Sequence, residues 1–325
     1  MKRKNFKLCL VGLLLVSLML CYGSMGLAAE YPTRPINLII NFSVGGTSDI
    51  AIRTVVRKVA EEIEQPIICK NVTGAGGTLG VATVARAKPD GYTIGTCNMP
   101  SVCIHPQLRK LPYDPFEDIV QLGVVMPYEY CLAVRGDAPW NTWEEFVNYV
   151  KENPGIVTYG SCGTGTTNHL LTARIGVHED FNWIHVPFKG GAPETAALLG
   201  GHVTIINNTF VSMLSPIRAG KIKVLLITSK RRIPVVPNVP TMIEKGYPFF
   251  QASYMSLIAP KDIPESARKY LEQVFEKAVN DLGVQEELRK LTLNPEWMSG
   301  EEYGKLARKL YIEWGEMLKK LELIK

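Results

Sequence analysis

The sequence predicts an α/β protein with largely parallel sheets, divided into two lobes. Three observations point there. Apolar strand-like runs alternate with helical periodicity from residue 36 to about 245. Two glycine-rich turns, at 41–49 and 160–170, each follow a strand and open a helix. The last third is helical, with one apolar stripe from Ala267 through Leu271, Phe275 and Val279, and another from Tyr303 through Leu310 to Trp314.

Taken in order, the chain begins with Lys2, Arg3, Lys4 and Lys7, an apolar run from Leu8 to Leu20, and small residues from Gly23 to Ala29. This is the pattern of a secretory signal peptide over 1–28, with Gly26-Leu27-Ala28 as the cleavage site and Ala29 as a near alternative. The run is short for a transmembrane span of ~20 residues. Lipid attachment at Cys21 is disfavoured by the bulky Leu20 before it. The whole chain has 36 basic and 31 acidic residues. Removing the four basic residues of the leader leaves 32 against 31, so the mature protein is nearly neutral. No basic field marks it for nucleic acid or a membrane surface. Five cysteines remain, with no CxxC, which reads as buried free thiols rather than a metal knuckle or redox pair.

Strand 36–40 leads through the first turn into a helix whose apolar face is Ile52, Val55, Val56, Val59 and Ile63. Strand 66–72, a glycine run at 74–77 and helix 78–87 follow, and Pro89-Asp90-Gly91 turns into strand 92–96. Strands are expected at 130–134, 156–159, 183–186, 203–207 and 223–228. Helices are expected at 142–151, 166–175, 193–199 and 212–219, with a short one at 241–245. Ser299 and Glu302 form a capping box for the final helix.

The chemistry lies in the two turns. Gly45 and Gly46 permit positive φ and a close approach to the main chain. Thr47 or Ser48 can cap the helix, whose N-terminal amides form a positive end that receives anions. One such turn is also an ordinary strand-to-helix connection. The second, Gly160-Ser161-Cys162-Gly163-Thr164-Gly165-Thr166-Thr167, makes a pair that two lobes can present to one cleft. Enzyme patterns do not fit. Ser161 has Tyr159 where a nucleophile elbow needs glycine, and no GxxxxGK[ST] occurs. In the dinucleotide-like Gly74-x-Gly76-Gly77-x-x-Gly80 the third glycine is one place late. The five histidines show no metal spacing. His169 reads as a helix residue, with a direct ligand role as the alternative.

These residues resemble the extracytoplasmic solute receptors of tripartite tricarboxylate transporters, the Bug family. The resemblance runs in order through Tyr31-Pro32-x-Arg34-Pro35, Phe42-x-x-Gly45-Gly46-x-x-Asp49 and Asn71-x-x-Gly74-Ala75-Gly76-Gly77. It continues in Pro89-Asp90-Gly91-Tyr92-Thr93, Leu111-Pro112-Tyr113-Asp114-Pro115, Ser161-x-Gly163-x-Gly165 and His185-Val186-Pro187-Phe188-Lys189-Gly190. It implies a fold like the type II periplasmic binding proteins: two α/β lobes joined by two crossovers, 30–130 with 253–325 in one and 131–252 in the other. It also implies a non-enzymatic, periplasmic or extracytoplasmic receptor, without cofactor or metal, that hands a small carboxylate to an integral-membrane permease.

The resemblance places the stretch Phe42 to Asp49 on one wall and Ser161 to Thr167 on the other, with Phe42, Ser43, Val44, Gly45, Gly46, Thr47 and Asp49, and Ser161, Thr164, Gly165, Thr166 and Thr167, as the ligand-binding candidates. Side chains near Asn98, Phe188, Asn208 and Tyr254 would select among acids. Asp49 is expected to fix Gly45 and Gly46 with their amides facing the cleft, or only to cap the helix. Lys189 lies close in sequence to an expected cleft strand. Three positions depart from the family: Asn41 stands where proline is usual and is expected to loosen the first turn, Asn208 replaces an aspartate, and Cys162 places a thiol in the second turn. A periplasmic hydrolase acting on a small acid is the competing class.

Overall fold

The computed structural model describes residues 31–180, 182–250, 253–320 and 323–324. The leader read at 1–28, with its cleavage site and Cys21, lies outside the described residues. Eleven strands form two mixed sheets among the described residues. In the first the order is β11 (Met298–Ser299), β4 (Ile119–Tyr128), β10 (Ser253–Pro260), β3 (Thr93–Asn98), β1 (Ile36–Ile40) and β2 (Ile67–Asn71). In the second it is β7 (Ile184–Pro187), β6 (Thr158–Ser161), β8 (Ile205–Thr209), β5 (Tyr130–Arg135) and β9 (Ile222–Ile227).

Both sheets are covered on both faces, and the pleat of β1 shows how. Ile36, Leu38 and Ile40 pack with Ile52 and Val55 of α1 (Thr47–Val59), whereas Ile39 packs with Val81 and Val84 of α2 (Thr78–Ala85). Alternation does the same in β5. Leu132 and Val134 face Trp143 and Phe146 of α5 (Trp143–Glu152); Cys131 and Ala133 face Leu198, Phe210 and Met213. The C-terminal helices α9 (Glu265–Asn280) and α11 (Gly300–Lys320) close opposite faces of the first sheet through Leu271 and Phe275, and through Ala307 and Trp314.

The sheets are less parallel than the alternating pattern suggests. β10 runs antiparallel between β3 and β4, and β5 antiparallel between β8 and β9. These are the strands by which the chain changes sheets: β4 of the first sheet passes through Glu129 into β5 of the second, and β10 returns after β9. β4 and β10, with the short helices α3 (Met99–Cys103) and α4 (His105–Leu108), have no counterpart in the sequence reading. Both strands are buried on both faces, so no period of two remains to announce them. At 241–245 the chain forms a turn instead of the expected helix, with Thr241 bridging to Ile227. The Ser299–Glu302 capping box closes as expected, each residue accepting the other's amide, at 3.3 Å to Ser299 Oγ and 3.1 Å to Glu302 Oε2.

Candidate functional site

The two glycine turns meet across a small cavity between the sheets. α1 starts at Thr47, and its first i→i−4 bond runs from Ile50 N–H to Gly46 C=O, so the amides of Thr47, Ser48 and Asp49 have no partner within the helix. Opposite, α6 (Thr167–Glu179) makes its first such bond from Leu170 N–H to Thr166 C=O. α7 (Gly191–Leu199) and α8 (Phe210–Arg218) also begin here, with Gly191 and Thr209 on the cavity wall. Four helix N-termini from two lobes therefore face one space of about 30 Å³. Among the described residues no lysine, arginine, aspartate or glutamate lines it. The positive potential comes from the main chain.

Of the residues expected on the walls, Phe42, Gly46, Thr47, Asn98, Thr166, Thr167 and Asn208 line the cavity. Ser43, Val44, Gly45, Asp49, Ser161, Thr164, Gly165 and Phe188 do not. Val44 is 67% exposed. Gly45 N–H donates to Asp49 Oδ2 at 3.0 Å and Gly46 N–H to Ser43 C=O at 3.1 Å, so neither amide faces a ligand. Asp49 Oδ1 accepts from Arg53 Nε at 2.7 Å and from Asn71 Nδ2 at 3.0 Å, neither of which lines the cavity. Although burial opposes it, the Gly45 amide, Asn71 and Arg53 hold this carboxyl below its usual range. Asp49 is an internal brace of the first turn. The helix is capped by Gly46 without a side-chain bond. The hydroxyls assigned to capping are used elsewhere: Thr47 Oγ1 pairs with Thr209 Oγ1 of the second sheet, and Ser48 Oγ with Tyr128 OH at 2.7 Å.

Asn41 does not loosen the turn. It is fully buried, donates to Asn98 Oδ1 at 2.9 Å and accepts from Thr96 Oγ1 at 2.8 Å. With Ser101 also donating to Asn98 Oδ1 at 2.7 Å, the Asn98 amino group is the part left for the cavity. Asn208 spends its amino group on Gly191 C=O and Thr195 Oγ1, at 2.9 and 3.2 Å. It thereby fixes the start of α7. Phe188 covers Gly160, Tyr254 rests against Tyr303, and Lys189 is exposed.

The second turn is braced by histidines. Gly165 N–H donates to His169 Nδ1 at 3.1 Å, and Ser161 Oγ meets His185 Nε2 at 2.6 Å. The rings of His169 and His185 lie 3.9 Å apart. His105, from the first lobe, is wedged between Gly76 and Gly165, where an added Cβ would come within 2.5 Å of Nε2 and 2.7 Å of Cε1. Burial depresses all three, His105 and His185 to about 4 and His169 to about 3, helped at His105 by Arg109 and at His169 by the other two rings.

Ser48 and Cys162, inside the stretches 42–49 and 161–167 expected on the walls, line the cavity as well, whereas sequence reasoning missed Tyr128, Tyr130, Asn168, Gly191 and Thr209. Gly191 and Thr209 begin helices after strands, the same signal as the two turns in weaker form. Tyr128 and Tyr130 flank the crossover in strands one of which was not recognised. Among the described residues no three His, Cys, Asp or Glu side chains form a metal site, and no helix is long and apolar enough to cross a membrane.

Two α/β lobes closing helix N-termini on a cavity without charged side chains define a solute-binding protein. Comparison with known proteins agrees. The family model described as the tripartite tricarboxylate transporter family receptor matches residues 51–323. A UPF0065 protein encoded in the gbd 5′ region of Cupriavidus necator is 32% identical over 93% of this chain and 94% of its own length. The periplasmic binding protein BugD is 30% identical, with a TM-score of 0.85 over 91% of this chain and 100% of its own. MatC from Rhodopseudomonas palustris with bound malate is 27% identical, with a TM-score of 0.81 over 88% of this chain and 99% of its own. The R. palustris protein Rpa4515 with adipate is 25% identical, with a TM-score of 0.84 over 89% and 98%. The chain belongs to the tripartite tricarboxylate transporter receptor family, and it is a receptor, not an enzyme.

Proposed function

We propose that this receptor captures a small organic carboxylate in the cavity between its lobes and presents it to an integral-membrane permease of a tripartite carrier. The observation that carries the reading is the convergence of four helix N-termini on a space without charged side chains. Each end favours an anion by ~0.3–1 kcal/mol. The relatives bound to malate and adipate support it. Export rests on the leader read at 1–28, which places the mature protein outside the cytoplasmic membrane. Residues 30–130 with 253–325, and 131–252, would be the two bodies that open and close, since β4–β5 and β9–β10 are the places where the chain changes sheets.

The test is a thermal-shift screen of mono-, di- and tricarboxylates against the mature protein, followed by calorimetry. Carboxylates should raise the melting temperature, and neutral sugars and polyamines should not. The reverse pattern would overturn the reading.

A further inference from the structure

Among the described residues, Glu194 is the carboxylate with no exposed surface at all. It stands in the first turn of α7, where its N–H donates to Gly190 C=O at 3.3 Å. Its side chain lies against Gly160, where an added Cβ would sit 3.2 Å from Glu194 Cγ. Oε2 accepts the Cys162 thiol at 3.3 Å, and Oε1 has no hydrogen-bond partner. Cys162, Gly191 and Tyr130 are cavity wall, so Glu194 lies directly behind the surface that receives the ligand.

Among the described residues nothing around it supplies a compensating cation. β5 faces it with Cys131 and Tyr130, and the turn after β6 with Cys162, all three thiols and phenols pushed up by burial. Tyr159 of β6 stacks on His185, whose Nε2 is taken by Ser161. β8 carries no ionisable residue, α8 carries only Arg218 in its last turn, and Lys189 is exposed. Asp49 makes the contrast plain: nearly as buried, it has Arg53, Asn71 and the Gly45 amide, and is held ionised. A buried carboxyl without such partners keeps its proton. Burial accordingly pushes Glu194 well above the usual carboxylate range, with only the Cys162 bond opposing.

We propose that Glu194 is a positioning residue of the cleft that works uncharged: it holds Cys162 in the second turn and keeps negative charge away from the wall facing the anion. This rests on the carboxylate reading above. An ionised Glu194 would act on a bound carboxylate through poorly screened protein interior, and repel it. By linkage the bound anion strengthens the proton's hold on Glu194, so capture and protonation reinforce each other.

The experiment compares the mature wild type with Glu194→Gln, which keeps the shape and cannot ionise. Affinity for L-malate and adipate is measured by calorimetry from about pH 6 to about pH 10, and ligand-free unfolding temperature over the same range. Wild-type affinity should fall at least about tenfold as pH rises, while the variant stays within about threefold of the wild-type value at pH 6 throughout. Without ligand, the variant's advantage in unfolding temperature should grow with pH, because the wild type must retain or lose a buried proton. Parallel affinity profiles, a tenfold weaker variant at about pH 6, or a stability difference independent of pH would each overturn the proposal. If no carboxylate binds the wild type at any pH, the carboxylate reading fails and takes this role with it. The ligand-free comparison then still shows whether Glu194 is uncharged.

Discussion

At Asp49 one carboxylate satisfies three donors, the Gly45 amide, Arg53 and Asn71, and Asn71 also donates to Phe42 C=O at 2.9 Å. The whole first turn hangs on that group. Asp49→Ala should cost ~1–3 kcal/mol of stability by removing the acceptor of three part-buried hydrogen bonds, one of them to a charged group, and should weaken carboxylate binding at least about tenfold by releasing the turn. Asp49→Asn should retain most affinity, since one acceptor oxygen remains. Full affinity in a folded Ala variant, measured by calorimetry, would reduce Asp49 to a local cap. Its titration has a definite sign. The folded pKa lies below 3.8, so this carboxylate stabilises the fold above that value and the contribution disappears as pH falls through the folded pKa. Asp49 was readable as a brace from its place in the first turn of a helix. The engagement of Asn41 with Asn98, 57 positions away, was not, because nothing local links them.

The second turn, its helix α6 and β7 form an element tuned by three neutral rings. Above the ordinary histidine value of 6.5 all three are uncharged in folded and unfolded chain alike. Below it the unfolded chain takes up protons that the folded chain refuses until about 4. Stability should therefore fall steadily from about pH 6.5 to about pH 4. Carboxylate affinity of the folded protein should hold over the same range, because His169 stays neutral down to about 3 and keeps accepting from Gly165 N–H. A flat unfolding midpoint across that range would show the rings to be irrelevant. Gly165→Ala is expected to disrupt the same element. The residue has φ +76°, and a Cβ would sit 2.7 Å from His105 Cε1. Alternating hydropathy made most strands and helices legible, since each covers a sheet face with a regular period. The crossover strands β4 and β10 lack such a face. Their assignment depends on the sheets they join, which local pattern does not carry.

Across the whole molecule the lobes already touch. Thr47 meets Thr209, Ser43 packs on Gly190, and His105 reaches Gly165. These contacts define a closed form whose cleft admits only a small ligand. Thr47→Val keeps the volume and removes one side of the hydroxyl pair, at ~1 kcal/mol. Small-angle scattering of the ligand-free variant should show a larger radius of gyration than wild type, and saturating carboxylate should return both to the same value. Equal radii without ligand would mean that the pair does not hold the lobes together.

A grip made of main-chain amides is nearly invisible to point mutation, because almost every codon change leaves an N–H in place. Such a receptor can drift in its taste for different acids, through positions such as Asn98 and Cys162, without losing its hold on carboxylates as a class. One replacement escapes this protection. Proline suits the first position of a helix, and the residue before Thr167 already has the extended conformation (φ −76°, ψ 161°) that proline asks of its neighbour. Thr167→Pro should thus fold while deleting a single cleft amide, and should bind every acid more weakly. Thr167→Val, which keeps the amide and loses the hydroxyl bonded to Ser253, should bind them nearly as before.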